Sequence, residues 1–182
     1  MGLLYRPGRT RIRRDRLTAM ADQVAASTES RAFAAILSGV VTPFLTARGF
    51  RRSGQRYTAA RGPNRVVIGF ERRGDFFTCD LMTVNATLRA AGFMSPREHW
   101  RIRLGPIAVG WDKWWSLADD PAVVADDFLA ALARGLDHIE PLATDDGIRA
   151  RLRADETADP GSLVPIERAW LAALDRGAGE RA

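Results

Sequence analysis

The chain has 182 residues, 46% of them hydrophobic, which is enough for one domain with a substantial core. Cys79 is the only cysteine. That excludes an internal disulfide and any CxxC zinc or redox pair, and it points to a reducing cytoplasm. The formal charge of +5 is carried by Arg6, Arg9, Arg11, Arg13, Arg14 and Arg16 against Asp15, so residues 20–182 are balanced (27 − 6 basic, 22 − 1 acidic).

Residues 1–28 read as a basic, disordered arm with no strand or helix period. Its first 19 residues are the one place where nucleic acid or anionic lipid would be held by charge. Met20 offers a second start. No apolar run reaches the roughly 18 residues of a membrane span, and the N-terminus has no apolar leader, so no membrane is expected.

From about Glu29, Phe33, Ile36, Leu37, Val40, Val41, Phe44 and Leu45 recur at three- and four-residue steps, the stripe of an amphipathic helix. Ser27, Thr28 or Ser30 can cap it. Pro43 clashes with the carbonyl of Gly39, which predicts a kink there. Gly49 is placed to stop the helix, with Phe50 folding back onto its last turn.

The period then changes to two. Residues 54–61 form a weak strand, GPN at 62–64 a turn and RVVIGFER at 65–72 a stronger strand. Gly74-Asp75 signals a hairpin into FFTCDLMTV, 76–84. In that strand Phe77, Cys79 and Leu81 point one way, and Phe76, Thr78, Asp80, Met82 and Val84 the other. Residues 86–98 read as a long connection and HWRIRLG, 99–105, as a fourth strand. Asp119 or Asp120 caps a helix from Pro121 with the stripe Val124, Phe128, Leu129, Leu132, Leu136 and Ile139, ended by Pro141. Shorter helices follow near 145–156 and 164–175.

This order is α+β: an antiparallel sheet of about four strands, with the helices from Glu29 and Pro121 packed mainly on one face and the other face partly open. The boundaries are a basic arm at 1–28, a core domain at 29–142 and a C-terminal helical extension at 143–182.

TPFLTARGFRRSGQRY, FFTCDLMTV, WRIRLGPIAVGWDKWW and LDHIEPLA together resemble the bacterial domain of unknown function family 4304, over about residues 33–142. The resemblance implies a bacterial α+β domain and supplies no activity.

The chemical inventory is thin. GxSxG, Walker-type, GxGxxG and HExxH motifs are missing, and His99 and His138 lie on different elements without a second ligand at metal spacing, so no cofactor or metal is expected. Acidic pairs 119–120 and 145–146 read as helix openings, and Asp126-Asp127 as the solvent side of a helix. Cys79 reads as a small core hydrophobe. Asp80 stands mid-strand, where aspartate is disfavoured, so it lies either on the open face or paired with an arginine, Arg101 or Arg103.

GWDKWWSL, 110–117, holds three of the five tryptophans and the only lysine. Trp111, Trp114 and Trp115 either plug the sheet against the helix from Pro121, sharing one face of a turn, or form an aromatic recognition surface. A mixed outcome puts one indole inward and another at the rim of a groove with Asp112, Arg101 and Arg103. The candidate binding residues are thus Arg101, Arg103, Trp111, Asp112, Trp114, Trp115 and Asp80, with no catalytic residue assigned. The expected function is a non-enzymatic protein-binding domain of the bacterial cytoplasm. The alternatives are a small-molecule-binding protein or enzyme acting on anionic substrates, with Arg101 and Arg103 gripping the anion and Asp112 or Asp80 as base, and nucleic-acid binding through the arm.

Overall fold

A computed structural model describes residues 28–93 and 100–179. Residues 1–27 of the basic arm, with Met20 and the Ser27 cap, and His99 lie outside the described residues.

Residues 28–46 form one helical rod. It comprises α1 (residues 28–36), a π-helical turn (Leu37–Val41) and α2 (Thr42–Thr46). Thr28 and Ser30 are already helical. The expected kink is replaced by the π turn. Thr42 donates its backbone N–H to Leu37 O, five residues back, and its hydroxyl to the same oxygen at 2.6 Å. One extra residue in the turn carries the chain past the Pro43 ring without breaking the rod. Gly49 takes a left-handed φ of 82°, and the Phe50 N–H returns to Leu45 O at 3.0 Å, which closes the helix and buries Phe50.

The sheet has six strands rather than four: β1 (Arg51–Ser53), β2 (Arg56–Arg61), β3 (Asn64–Arg73), β4 (Phe76–Val84), β5 (Arg101–Arg103) and β6 (Trp115–Ser116). All pairings are antiparallel in the order β1-β2-β3-β4-β5, with β6 also on β4. β3 lines the whole of one edge of β4, so β5 and β6 share the other. They are two halves of a single interrupted strand. Arg103 pairs with Asp80 and Trp115 with Phe77, which leaves room for two residues, yet residues 104–114 fill the interval. That excursion contains α4 (Leu104–Val109) and the segment 110–114. The expected strand over 99–105 is therefore cut short after Arg103. Leu104 turns inward to fill space beside Leu81 and Gly135, and the chain winds into a helix there.

The connection after β4 also acquires structure. α3 (Ala86–Ala90) is capped by Asn85, whose Oδ1 accepts from Leu88 N at 2.8 Å. α5 (Pro121–Ile139) starts as read, with Asp120 Oδ1 accepting from Ala122 N at 2.8 Å and Pro121 in the first turn. α6 (Asp145–Ala158) and α7 (Pro165–Gly179) complete the chain.

α1 and α5 cover the face of Tyr57, Val66, Ile68, Phe70, Phe77 and Leu81. Phe128 is the hub. Its ring lies 5.7 Å from Phe70, 5.1 Å from Phe77 and 4.9 Å from Trp115, edge-on to the last. Burying such a ring stabilises the fold by about 1.5–3 kcal/mol. Ile148, Leu152, Leu163, Trp170 and Leu174 belong to the same core, so α6 and α7 extend it without a break. No helix among the described residues is long and apolar enough to cross a membrane.

Candidate functional site

The register sets the chemistry of the uncovered face. Because Tyr57, Val66, Leu81 and Ile102 face the helices, their neighbours along each strand face outward. One row across the strands reads Ser53, Arg56, Gly69, Asp80, Arg103, and the next reads Arg51, Thr58, Val67, Met82, Arg101. Glu71, Thr78, Arg73 and Phe76 continue the face toward the β3–β4 turn.

Asp80 is the hinge of this arrangement. Arg101 Nη2 donates to its Oδ2 at 2.5 Å, and Arg103 Nε lies 3.6 Å from its Oδ1. Both expected partners are therefore used. Arg103 also reaches Glu71 at 3.0 Å and Asp112 at 3.3 Å. Partial burial opposes the Arg103 charge, but Asp80, Asp112 and Glu71 outweigh it and raise the pKa of the guanidinium, which stays charged.

The three tryptophans divide, and they do not share the face of a turn. Trp115 is 3% exposed, sits on β6 between Phe77 and Phe128, and donates its indole N–H to Asp127 Oδ2 at 2.6 Å. It is a core residue with a satisfied polar end, not a contact surface. Trp111 is 61% exposed. Trp114 is half-buried at the rim, with the guanidinium carbons of Arg73 and Arg103 at 5.0 and 5.3 Å from its ring and its N–H 3.4 Å from Asp112 Oδ2. These are cation–π distances that fix the ring.

The segment 110–114 is held from below. Gly105 packs so tightly beneath it that a Cβ would stand 2.3 Å from Lys113 N and 2.8 Å from Trp111 O. Lys113 Nζ donates to Asp127 Oδ2 at 2.5 Å. Asp127 is thus not a mere solvent-side helix residue, as its sequence position implied. The Lys113 hydrogen bond, aided by that of Trp115, holds its carboxyl below the ordinary value of 3.8.

Two features escaped the sequence reading. The outward row from Arg51 and Arg56 depends on β1, which is only three residues long. Asp145 is more than a helix opener: its carboxylate accepts from Asn85 Nδ2 at 2.6 Å and Thr87 Oγ1 at 2.7 Å, tying α6 to the end of β4. The signal for it was a polar Asn-x-Thr at a strand end, with no partner identifiable from spacing.

Concavities also lie away from this face. An apolar groove of about 300 Å³ runs between α1 and α5, lined by Ile36, Val40, Leu117 and Val124. A shallow depression of about 720 Å³ lies beside Arg61, Asn64, Asp146 and Arg149. Among the described residues no group of three or more His, Cys, Asp or Glu is placed to hold a metal ion. No family model matches the chain, and neither a curated protein nor a solved structure matches it.

Proposed function

We propose that the chain is a non-catalytic protein-binding domain of the bacterial cytoplasm, with the Trp111–Trp114–Arg103 rim as its contact surface. The observation that carries this reading is the paired exposure and fixation of the rim. Trp111 projects into solvent, while Trp114 beside it is already ordered by Arg73, Arg103 and Asp112. Tryptophan and arginine dominate binding energy at interfaces, and a ring fixed beforehand loses less entropy on binding. Phe76, 45% exposed and paired with Arg73, enlarges the aromatic area. Arg101 and Arg103 are engaged by the chain's own carboxylates, which weighs against their gripping a small anion.

The test is affinity capture on the immobilised full chain, followed by titration calorimetry with the purified captured protein. A Trp111→Ala/Trp114→Ala variant with unchanged circular dichroism is expected to lose at least tenfold in affinity. A partner held equally by the variant would refute the rim as the contact.

A further inference from the structure

The described residues are close to neutral in total, but basic residues predominate in 28–93 and acidic ones in 100–179, and the register sets much of the basic charge on one face. Arg51, Arg56, Arg65, Arg73, Arg101 and Arg103 all stand on the outward face of the sheet, against only Asp80 and Glu71. The two carboxylates are spent on Arg73, Arg101 and Arg103. Arg51, Arg56 and Arg65 are exposed and have no acidic partner among the described residues. Between the arginines the surface is small and aliphatic. Gly69 leaves a hollow in which a Cβ would meet only Met82 Cε, at 3.6 Å, and Thr58, Val67 and Val84 are partly open.

We infer that this face receives a polypeptide segment lying across the strands, its acidic end over Arg51, Arg56 and Arg65 and its apolar end over Val67, Met82 and Val84. The inference rests on the reading of the chain as a protein-binding domain and specifies the partner. The row Arg51, Thr58, Val67, Met82, Arg101 starts at the unpaired Arg51, crosses apolar or small side chains and ends at Arg101, whose guanidinium Asp80 already holds. Five strands at about 4.8 Å spacing put the end Cα atoms roughly 19 Å apart, the length of about six extended residues. Guanidinium forks match carboxylates bidentately. Single-stranded nucleic acid fits less well. Its bases need flat rings mid-sheet to stack on, and here the aromatic residues Phe76 and Trp114 lie at one end only, with aliphatic chains in the middle.

The probe is a fluorescent decapeptide with glutamates in one half and leucine and valine in the other, titrated against the full chain by anisotropy. Its glutamine analogue and a ten-nucleotide oligothymidylate serve as comparators. The acidic peptide is expected to bind more tightly than both and to weaken as salt rises. Arg51→Glu/Arg56→Glu/Arg65→Glu is expected to cost at least tenfold, and the milder Arg→Gln triple less, each with unchanged thermal unfolding. Replacing Arg6, Arg9, Arg11, Arg13, Arg14 and Arg16 with Gln is expected to leave the peptide affinity unchanged.

Peptide binding that follows the arm and ignores the sheet arginines overturns the inference, as does tighter oligothymidylate binding through the sheet or no peptide binding at all. The Trp111→Ala/Trp114→Ala variant separates the two readings. Binding that survives it but falls with the arginine triple supports the acidic partner and removes the tryptophan rim as the contact. Binding lost with the tryptophans but indifferent to the arginines overturns the acidic partner and leaves the rim standing.

Discussion

Trp115 and Asp127 are joined across β6 and α5 by a 2.6 Å hydrogen bond that satisfies the one polar atom of a buried indole. Trp115 therefore contributes core energy, while its neighbour Trp114 rests on arginine side chains at the surface. Adjacent tryptophans should give opposite results on truncation. Trp115→Ala is expected to destabilise by about 3–5 kcal/mol, the range for emptying a buried aromatic site. Trp114→Ala should cost less than about 1 kcal/mol, since its contacts are exposed cation–π ones. Guanidinium denaturation of both variants measures the difference.

Asp127 also makes the anchor sensitive to acid. Its folded pKa is lowered, chiefly by the Lys113 hydrogen bond and also by that of Trp115, so its contribution is present above the ordinary value of 3.8 and is lost as pH falls through the lower folded value. Denaturation midpoints between about pH 6 and pH 2 should fall less for Asp127→Asn than for the parent chain. Equal slopes would show that the carboxylate is not coupled to folding.

Cys79 lies in the core, and burial followed by the charge of Asp80 raises its thiol pKa well above the ordinary range. The native protein should not react with Ellman's reagent over hours at pH 8. One thiol per chain should appear at once in denaturant. Rapid native labelling would place the thiol at the surface.

Gly105 is required by close approach, and its φ is not left-handed. Ala at this position has to push the backbone of Trp111 and Lys113 outward, because backbone atoms, unlike a flexible side-chain tip, cannot swing aside. An overpacking cost of about 1–3 kcal/mol is expected. Thermal unfolding, with limited proteolysis of segment 110–114, tests it. An unchanged midpoint together with unchanged cleavage would contradict the packing.

The fold was legible wherever one period governed a whole element. The stripe from Val124 to Ile139 identified the buried face of its helix, whereas the alternation in 76–84 identified a strand and two faces but not which of them is covered, since both carry apolar residues. β1 and β6 were missed because three and two residues are too few to show a period, and such strands exist only through their partners. α4 was misread because Leu104 satisfies a strand alternation and a helix start equally well. What decides is the space beside Gly135, which is tertiary. The cost of a lone carboxylate in a strand left Asp80 either on the open face or paired with Arg101 or Arg103, and the register brings both arginines to it. The basic face stayed hidden because an arginine-rich stretch, Arg48 to Arg73 with only Glu71 against it, is offset in the total by the acidic residues that follow, and strand register decides which of those arginines share a face.

The interrupted strand opposite β4 has a consequence for self-association. A long, straight, unpaired border invites a second molecule to dock its backbone there, the first step toward fibrous aggregates. Here that border is broken into three- and two-residue pieces with a helical detour between them, so a neighbouring chain finds no continuous ladder of free amides and carbonyls. At the opposite border, β1 is three exposed residues that include Arg51 and Arg52, both too short and too charged to serve as a template. The detour that carries the tryptophan rim also interrupts the border of the sheet, and it helps keep the protein from adding copies of itself strand to strand.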